Sequence, residues 1–132
     1  MRYPQEANSP SQVIAVAGFI ENDVGDLLMI QDKNRGWEFP AGKVEVEEDL
    51  LSGLRREIIE ESGYSVTDLR LFAIYSRIGT TSLLLHCFRA KPLSQVAPSQ
   101  SAEWISPDLA RNKSHILLSM APWKTIYQPI IM

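Results

Sequence analysis

A chain of 132 residues that is 45% hydrophobic has material for one domain, able to bury roughly two thirds of the surface its unfolded form exposes. A formal net charge of −3 supplies no general attraction for the phosphates of a duplex or for an anionic membrane, which excludes a non-specific nucleic-acid binder. A single phosphorylated metabolite held through metal ions is compatible with the same charge.

Asn8-Ser9-Pro10-Ser11 reads as a lead-in loop. The start of the chain lacks the apolar core of a signal peptide, and the apolar run Val13–Ile20 is too short to span a bilayer, so the expectation is a cytoplasmic protein. Val13–Ile20 itself predicts a strand buried on both faces. Asn22-Asp23-Val24-Gly25-Asp26 predicts a turn into a second strand, Leu27–Ile30, and residues 13–30 are expected to form a hairpin. Asp32 to Asp49 is rich in proline, glycine and charge and reads as a loop beside a strong helix, where sites are commonly built.

From about Glu48 to Ser62 the pattern becomes helical, with Leu50, Leu51, Leu54 and Ile58 forming the apolar stripe and Gly63 ending it. Val66–Ile78 and Thr81–Ala90 predict two extended runs around Gly79-Thr80, the second stopping before Pro92. Ala102–Ile105 is a short strand, Pro107–Ala110 a helical turn and Ser114–Met120 a short helix. Cys87, the one cysteine, sits in an apolar run and reads as buried filling with no redox role. The order of elements favours a mixed sheet flanked by helices over a doubly wound parallel sheet, and residues 1–132 read as a single domain. Neither the dinucleotide-binding nor the Walker A glycine pattern is present.

The helix carries the chemistry. Glu57, Glu60 and Glu61 fall within about 100° of one another, and Glu61 points into the apolar sector. Like charges gathered in one turn repel, so a cation should offset them. Arg56 is placed to pair with Glu60 or Glu48, leaving Glu57 and Glu61 poorly compensated. A carboxylate triad suits a hard divalent ion such as Mg²⁺ or Mn²⁺. Glutamates also simply solvate exposed helices, and the helix alone leaves both readings open. The preceding loop, Trp37-Glu38-Phe39-Pro40-Ala41-Gly42-Lys43, contains a small Ala-Gly pair that permits close backbone approach to a diphosphate or a metal.

Gly42, Glu48 and Arg56-Glu57-Ile58-Ile59-Glu60-Glu61-Ser62-Gly63-Tyr64 together match the Nudix box, G-x5-E-x7-R-E-U-x-E-E-x-G-U with U aliphatic, and the chain resembles a small MutT-type Nudix hydrolase. Tyr64 stands where an aliphatic residue is usual, and Ala41 and Glu47 replace glycines common around the box, the latter with consequences for the loop's backbone angles. The resemblance implies an α/β/α sandwich around a mixed β-sheet and metal-dependent hydrolysis of a nucleoside diphosphate derivative, with Glu57, Glu60 and Glu61 and the Ala41 carbonyl as metal ligands. It further implies that Arg56 positions a neighbouring carboxylate, that Glu48 binds a further metal or orients Arg56, and that Glu57 or Glu60 is the general base.

Substrate contacts are assigned less sharply. Lys33 and Arg35 are candidates for terminal phosphates, Trp37 and Phe39 for stacking on a base, His86 for a base contact, and Glu103 for the later glutamate that many relatives carry. Core packing for the aromatics, a hydrogen-bonded half-buried histidine and an edge glutamate are the competing readings. Tyr75, Ser76 and Arg77 are further pocket candidates. The chain's size fits a nucleoside triphosphate or modified nucleotide as partner, rather than a duplex or a membrane. The apolar tail Trp123–Met132 reads as sheet cover or a homodimer interface. A nucleotide-binding sensor with weak catalysis is the alternative function, and an interaction protein with a chance acidic helix the third.

Overall fold

A computed structural model of the chain describes residues 11–34, 36–79, 82–99 and 101–112. The elements in order are β1 (Val13–Ile20), β2 (Leu27–Asp32), β3 (Gly36–Glu38), β4 (Ala41–Lys43), α1 (Leu50–Ser62), β5 (Tyr64–Arg77), β6 (Leu83–Gln95), β7 (Ala102–Ile105) and α2 (Pro107–Asn112). The helix expected over Ser114–Met120 and the tail Trp123–Met132, with its homodimer expectation, lie outside the described residues. No helix among the described residues is long and apolar enough to cross a membrane.

The strands form a four-stranded sheet, β4-β1-β6-β5, and a three-stranded sheet, β3-β2-β7. β1 runs parallel to β6 and every other pairing is antiparallel, so the larger sheet is mixed. The expected β1–β2 hairpin is not formed. The turn is there, with Asn22 Oδ1 accepting from the Val24 and Asp26 N–H groups at 3.1 and 2.9 Å, but the ladder beyond it is the single bridge Glu21↔Leu27. β1 carries apolar side chains on both faces, with Val16 and Ile20 in one cluster and Ala15 and Ala17 in another, and such a strand is most stable with neighbours on both sides. It therefore takes β4 and β6 as partners and releases β2 to the second sheet.

Two further boundaries differ from expectation. The polar stretch 32–49 contains β3 and β4, each only three residues long and too short for an alternation to be read. β6 continues through Pro92 to Gln95, because β1 ends at Ile20 opposite Ala90; beyond that point β6 has one neighbour, where a missing N–H is tolerated.

α1 begins one residue after Asp49, whose Oδ1 accepts from the Ser52 N–H at 2.7 Å, a hydrogen bond that also holds this carboxyl below its usual range. It ends at Gly63, which takes φ 78° and donates its N–H to the Ile59 carbonyl at 2.8 Å. Leu51, assigned to the apolar stripe from the sequence, is 44% exposed; the buried strip runs instead through Gly53, Leu54, Ile58 and Ser62.

Leu54 and Ile58 pack on Val16, Ile20, Leu28, Val66 and Phe88, so α1 lies across residues drawn from both sheets. Each such aliphatic side chain contributes about 1.5–3 kcal/mol by leaving water. The adjacent Met29 faces the other way and packs with Trp37, Ile105 and Ala110 of α2. Helices thus flank the sheet layer on both sides, an α/β/α arrangement. Cys87 is buried with Ala15, Ala17, Ala73 and Leu85, and burial pushes its thiol up to about 12, which leaves it an inert filler.

Candidate active site

β4 is an edge strand whose one neighbour is β1. Gly18 N–H donates to the Pro40 carbonyl and Val44 N–H to the Ile14 carbonyl, both at 2.9 Å, with Val16 opposite Gly42 between them. Ala41 and Lys43 are the alternate, non-hydrogen-bonded positions, and their backbone groups point away from β1 toward α1. The Ala41 N–H donates to Glu61 Oε1 at 3.0 Å, and the Lys43 carbonyl accepts from Arg56 Nη2 at 3.1 Å. The Ala41 carbonyl shares this open side.

Arg56 is the hub of the acidic face. Its Nε and Nη2 hold Glu48 Oε2 and Oε1 at 2.7 and 2.9 Å, while Nη1 lies 3.0 Å from Glu57, 3.2 Å from Glu60 and 3.6 Å from Glu45. The bidentate geometry suits a guanidinium and a carboxylate. The Arg56 hydrogen bonds, followed by the Glu45 N–H that donates to Glu48 Oε1, hold the Glu48 carboxyl down at about 2. The same Glu48 contact, partly opposed by burial, raises Arg56 above its ordinary value. Glu57, expected from helical angles to lack a counter-charge, has one in Arg56; the angle of a Cα says little about where a long guanidinium ends.

Two glycines make room for this network. A Cβ at Gly42 would fall on the Glu57 carboxyl, and one at Gly53 would lie 2.9 Å from Glu48 Oε1. The backbone of β4 and the flank of α1 thus lie directly against the two acids.

Glu61 behaves differently. Burial first, then the charges of Glu57, Glu38 and Glu60, raise its carboxyl from the ordinary 4.5 to about 7 against the lowering effect of the Ala41 N–H. The three helix acids therefore stand in three states: Glu57 nearly buried on Arg56, Glu60 mostly exposed and Glu61 desolvated. Among the described residues no group of three or more His, Cys, Asp or Glu is drawn together as a finished metal cage, since Glu57 and Glu60 lean on Arg56 and Glu61 on Ala41.

Glu47 takes φ 67°, the left-handed region that favours glycine. The loop keeps a glycine-like turn despite the side chain, a strain of about 1–2 kcal/mol. Glu47→Gly is expected to raise stability by up to about 1 kcal/mol once glycine's extra chain entropy is set against that relief, as measured by urea unfolding. A loss of stability would show that the Glu47 side chain makes a compensating contact.

The remaining candidates scatter. Lys33 is exposed in the β2–β3 turn beside Asn34, whose N–H bonds Asp32 Oδ1 at 2.8 Å, and Arg35 lies outside the described residues. Trp37 is 8% exposed and belongs to the core under α2, whereas Phe39 is half-buried with its ring 4.1 Å from that of Phe19. His86 is half-buried with Nδ1 3.2 Å from the Ala15 carbonyl, and alternates with Cys87 so that it shares the α1 side with Phe88. Glu103 is exposed opposite Met29, on the α2 side of the small sheet and away from the acids of α1. The fold gathers Ala41, Glu48, Arg56, Glu57, Glu60 and Glu61, and leaves Lys33, Trp37 and Glu103 apart. Glu45 and Glu38 join the site's electrostatics without any helical periodicity that could have marked them.

The NUDIX domain family model matches residues 11–124. A MutT-like protein of Streptomyces ambofaciens is 35% identical over 114 residues, covering 82% of this chain and 73% of that protein. A protein of Bacillus subtilis (strain 168) provisionally named 8-oxo-dGTP diphosphatase YtkD is 32% identical over 79 residues, covering 60% of this chain and 48% of its own length. The chain thus spans most of the first relative and about half of the second. In fold, a NUDIX hydrolase from Nitrosomonas europaea superposes with a TM-score of 0.69 at 24% identity, over 91% of this chain and 94% of that one.

Proposed function

The chain belongs to the Nudix family, and from that premise we propose that it is a single-domain, cytoplasmic, metal-dependent pyrophosphohydrolase acting on a nucleoside triphosphate or modified nucleotide. The observation that carries this reading is that the edge strand β4 meets two acids of α1, Glu61 on the Ala41 N–H and Glu57 against Gly42, with Glu60 joined to Glu57 through Arg56. The donors fit a hard divalent cation: three carboxylates and a carbonyl on one side, with a desolvated acid whose negative form lacks a full partner. When bound, Mg²⁺ or Mn²⁺ supplies neutralisation of the diphosphate charge and orientation of the attacking water.

The chain's own residues do the rest. Arg56 fixes Glu57 through Nη1 and is itself locked by Glu48, so the pair sets the direction of the Glu57 carboxyl. Glu57 or Glu60 takes the proton as water attacks phosphorus and the bridging P–O bond breaks. Glu60, 58% exposed, is the more accessible of the two to a water from solvent.

The name of the Bacillus relative puts oxidised nucleoside triphosphates at the head of the substrates to test. The experiment is turnover of nucleoside triphosphates, their oxidised forms, dinucleoside polyphosphates, ADP-ribose and nucleotide sugars with Mg²⁺ or Mn²⁺, products being identified chromatographically. Metal-dependent cleavage of a phosphoanhydride in at least one member is expected. Binding without cleavage would favour a nucleotide sensor, a reading to which the engagement of Arg56 with all of Glu48, Glu57 and Glu60 lends some support.

A further inference from the structure

The last carbonyls of a helix have no partners inside it and carry its negative end. α1 places two acids, Glu60 and Glu61, in its last turn and no basic residue there, so the donors must come from elsewhere. The Gly63 N–H reaches the Ile59 carbonyl at 2.8 Å, and the Ser62 hydroxyl donates to the Ile58 carbonyl. Further donors come from the connection between β6 and β7. The Val96 and Ala97 N–H groups donate to the Gly63 carbonyl at 2.8 and 3.1 Å, and Ser99 Oγ donates to the Glu61 carbonyl at 3.0 Å. A Cβ at Gly63 would collide with the Ala97 carbonyl, so the bare glycine is what lets this connection seat on the helix end.

Ser99 is itself held. Its Oγ accepts from the Ser101 N–H at 3.3 Å, and the Ser101 carbonyl accepts from the Gln31 N–H of β2 at 2.8 Å. Beyond it, Trp104 Nε1 donates to the hydroxyl of Tyr64 in β5 at 3.2 Å, with the two rings edge to face at 5.4 Å. The connection is thus tied to both sheets, and Ser99 acts on α1 from a fixed frame. Glu61 is gripped at two points: its carboxyl accepts from the Ala41 N–H at 3.0 Å and its carbonyl from Ser99. It is the penultimate residue of the helix, where fraying begins. The carboxyl grip alone leaves the main chain free to unwind, and the Ser99 bond opposes that motion. Glu103 faces away from α1, so the connection acts on the acidic turn through Ser99 and not through that glutamate.

We propose that Ser99 is a positioning residue of the acidic site: its hydroxyl keeps the last turn of α1 closed, so that Glu61 presents its carboxyl to a cation at a fixed place beside Ala41. The proposal rests on the reading of Glu61 as a metal ligand, and its test does not require turnover. Mn²⁺ alone is titrated into the full chain and followed by its paramagnetic resonance signal, for the wild type, Ser99→Ala and Ser99→Thr. Amide hydrogen exchange is measured on the same proteins without metal. A site that must be ordered to bind loses affinity as its competent fraction falls. In Ser99→Ala the Mn²⁺ dissociation constant is expected to rise about 5-fold, the factor one neutral hydrogen bond typically carries, with faster exchange at the Ser62 and Gly63 amides. Ser99→Thr, which keeps the hydroxyl on a half-buried site, should restore both. In turnover of whichever nucleotide is cleaved, Ser99→Ala should lower kcat at limiting metal and recover it at saturating Mn²⁺, with KM for the nucleotide unchanged. A serine that only braced the loop would lower the melting temperature and leave metal affinity alone. A Mn²⁺ dissociation constant within 1.5-fold of wild type in Ser99→Ala, or a threonine variant that binds no better than alanine, would therefore overturn the proposal and leave the hydrolase reading standing. A wild type that binds no Mn²⁺ would remove the metal reading first, and this proposal with it.

Discussion

Glu57→Gln is expected to lower metal-dependent turnover by about 10²-fold or more with little change in thermal stability. The carboxyl of Glu57 lies where a Cβ at Gly42 would be, and accepts from Arg56 Nη1 at 3.0 Å. Glutamine has the same shape and keeps an oxygen for Arg56, so the packing against β4 survives. It removes the negative charge that attracts a cation and the basicity that accepts a proton, and the latter alone is commonly worth about 10²–10⁴ in rate. The check is kcat/KM against Mg²⁺ concentration, with a circular-dichroism melt beside it. Turnover within about threefold of wild type would remove Glu57 from the site and weaken the catalytic reading as a whole.

Glu61→Gln is expected to separate stability from activity, making the metal-free protein more stable at alkaline pH while abolishing most turnover. Burial and neighbouring acids raise the folded-state value of Glu61 to about 7 from the ordinary 4.5. A raised acid gives its full contribution below pH 4.5. As pH climbs toward 7 the unfolded chain loses the proton while the folded chain retains it, and stability falls until both states are ionised. Because the group keeps partial contact with water, the loss at pH 8 is discounted for screening to about 1–2 kcal/mol. Glutamine keeps an oxygen for the Ala41 N–H at 3.0 Å and carries no charge to desolvate, so it escapes that loss. Urea unfolding should show variant and wild type alike near pH 4 and the variant ahead at pH 8. The wild type should then gain stability from added Mg²⁺ and the variant gain much less, since a ligand stabilises only the state that binds it. Equal stabilities at pH 8 would show that Glu61 is not held in a desolvated position.

An acid kept at a cost to the metal-free fold is the kind of local conflict that marks a site built for a ligand. The Glu47 turn is a second such conflict, where a loop retains a left-handed backbone without the residue that makes it easy. Glu61 lies in the last turn of α1 and Glu47 just before its start, whereas Leu54 and Ile58 of the same helix have no comparable tension.

The helix with its Gly63 stop, the strand Val13–Ile20 and the acids at 57, 60 and 61 were all legible from residue order, because each depends on neighbours within a few positions: a periodicity, a glycine, a box spacing. Even the desolvation of Glu61 had a local signal, since its helical angle falls among leucines. Tertiary structure alone decided that β1 abandons β2 for β4 and β6, that two three-residue segments become strands, and that Arg56 reaches Glu48, Glu57 and Glu60 at once. It also decided that Trp37 is core and that Glu103 faces the other side of the small sheet. Strand partners and the ends of long charged side chains are chosen by whatever lies across the fold, and a contact between distant residues leaves no periodicity in the order of the chain.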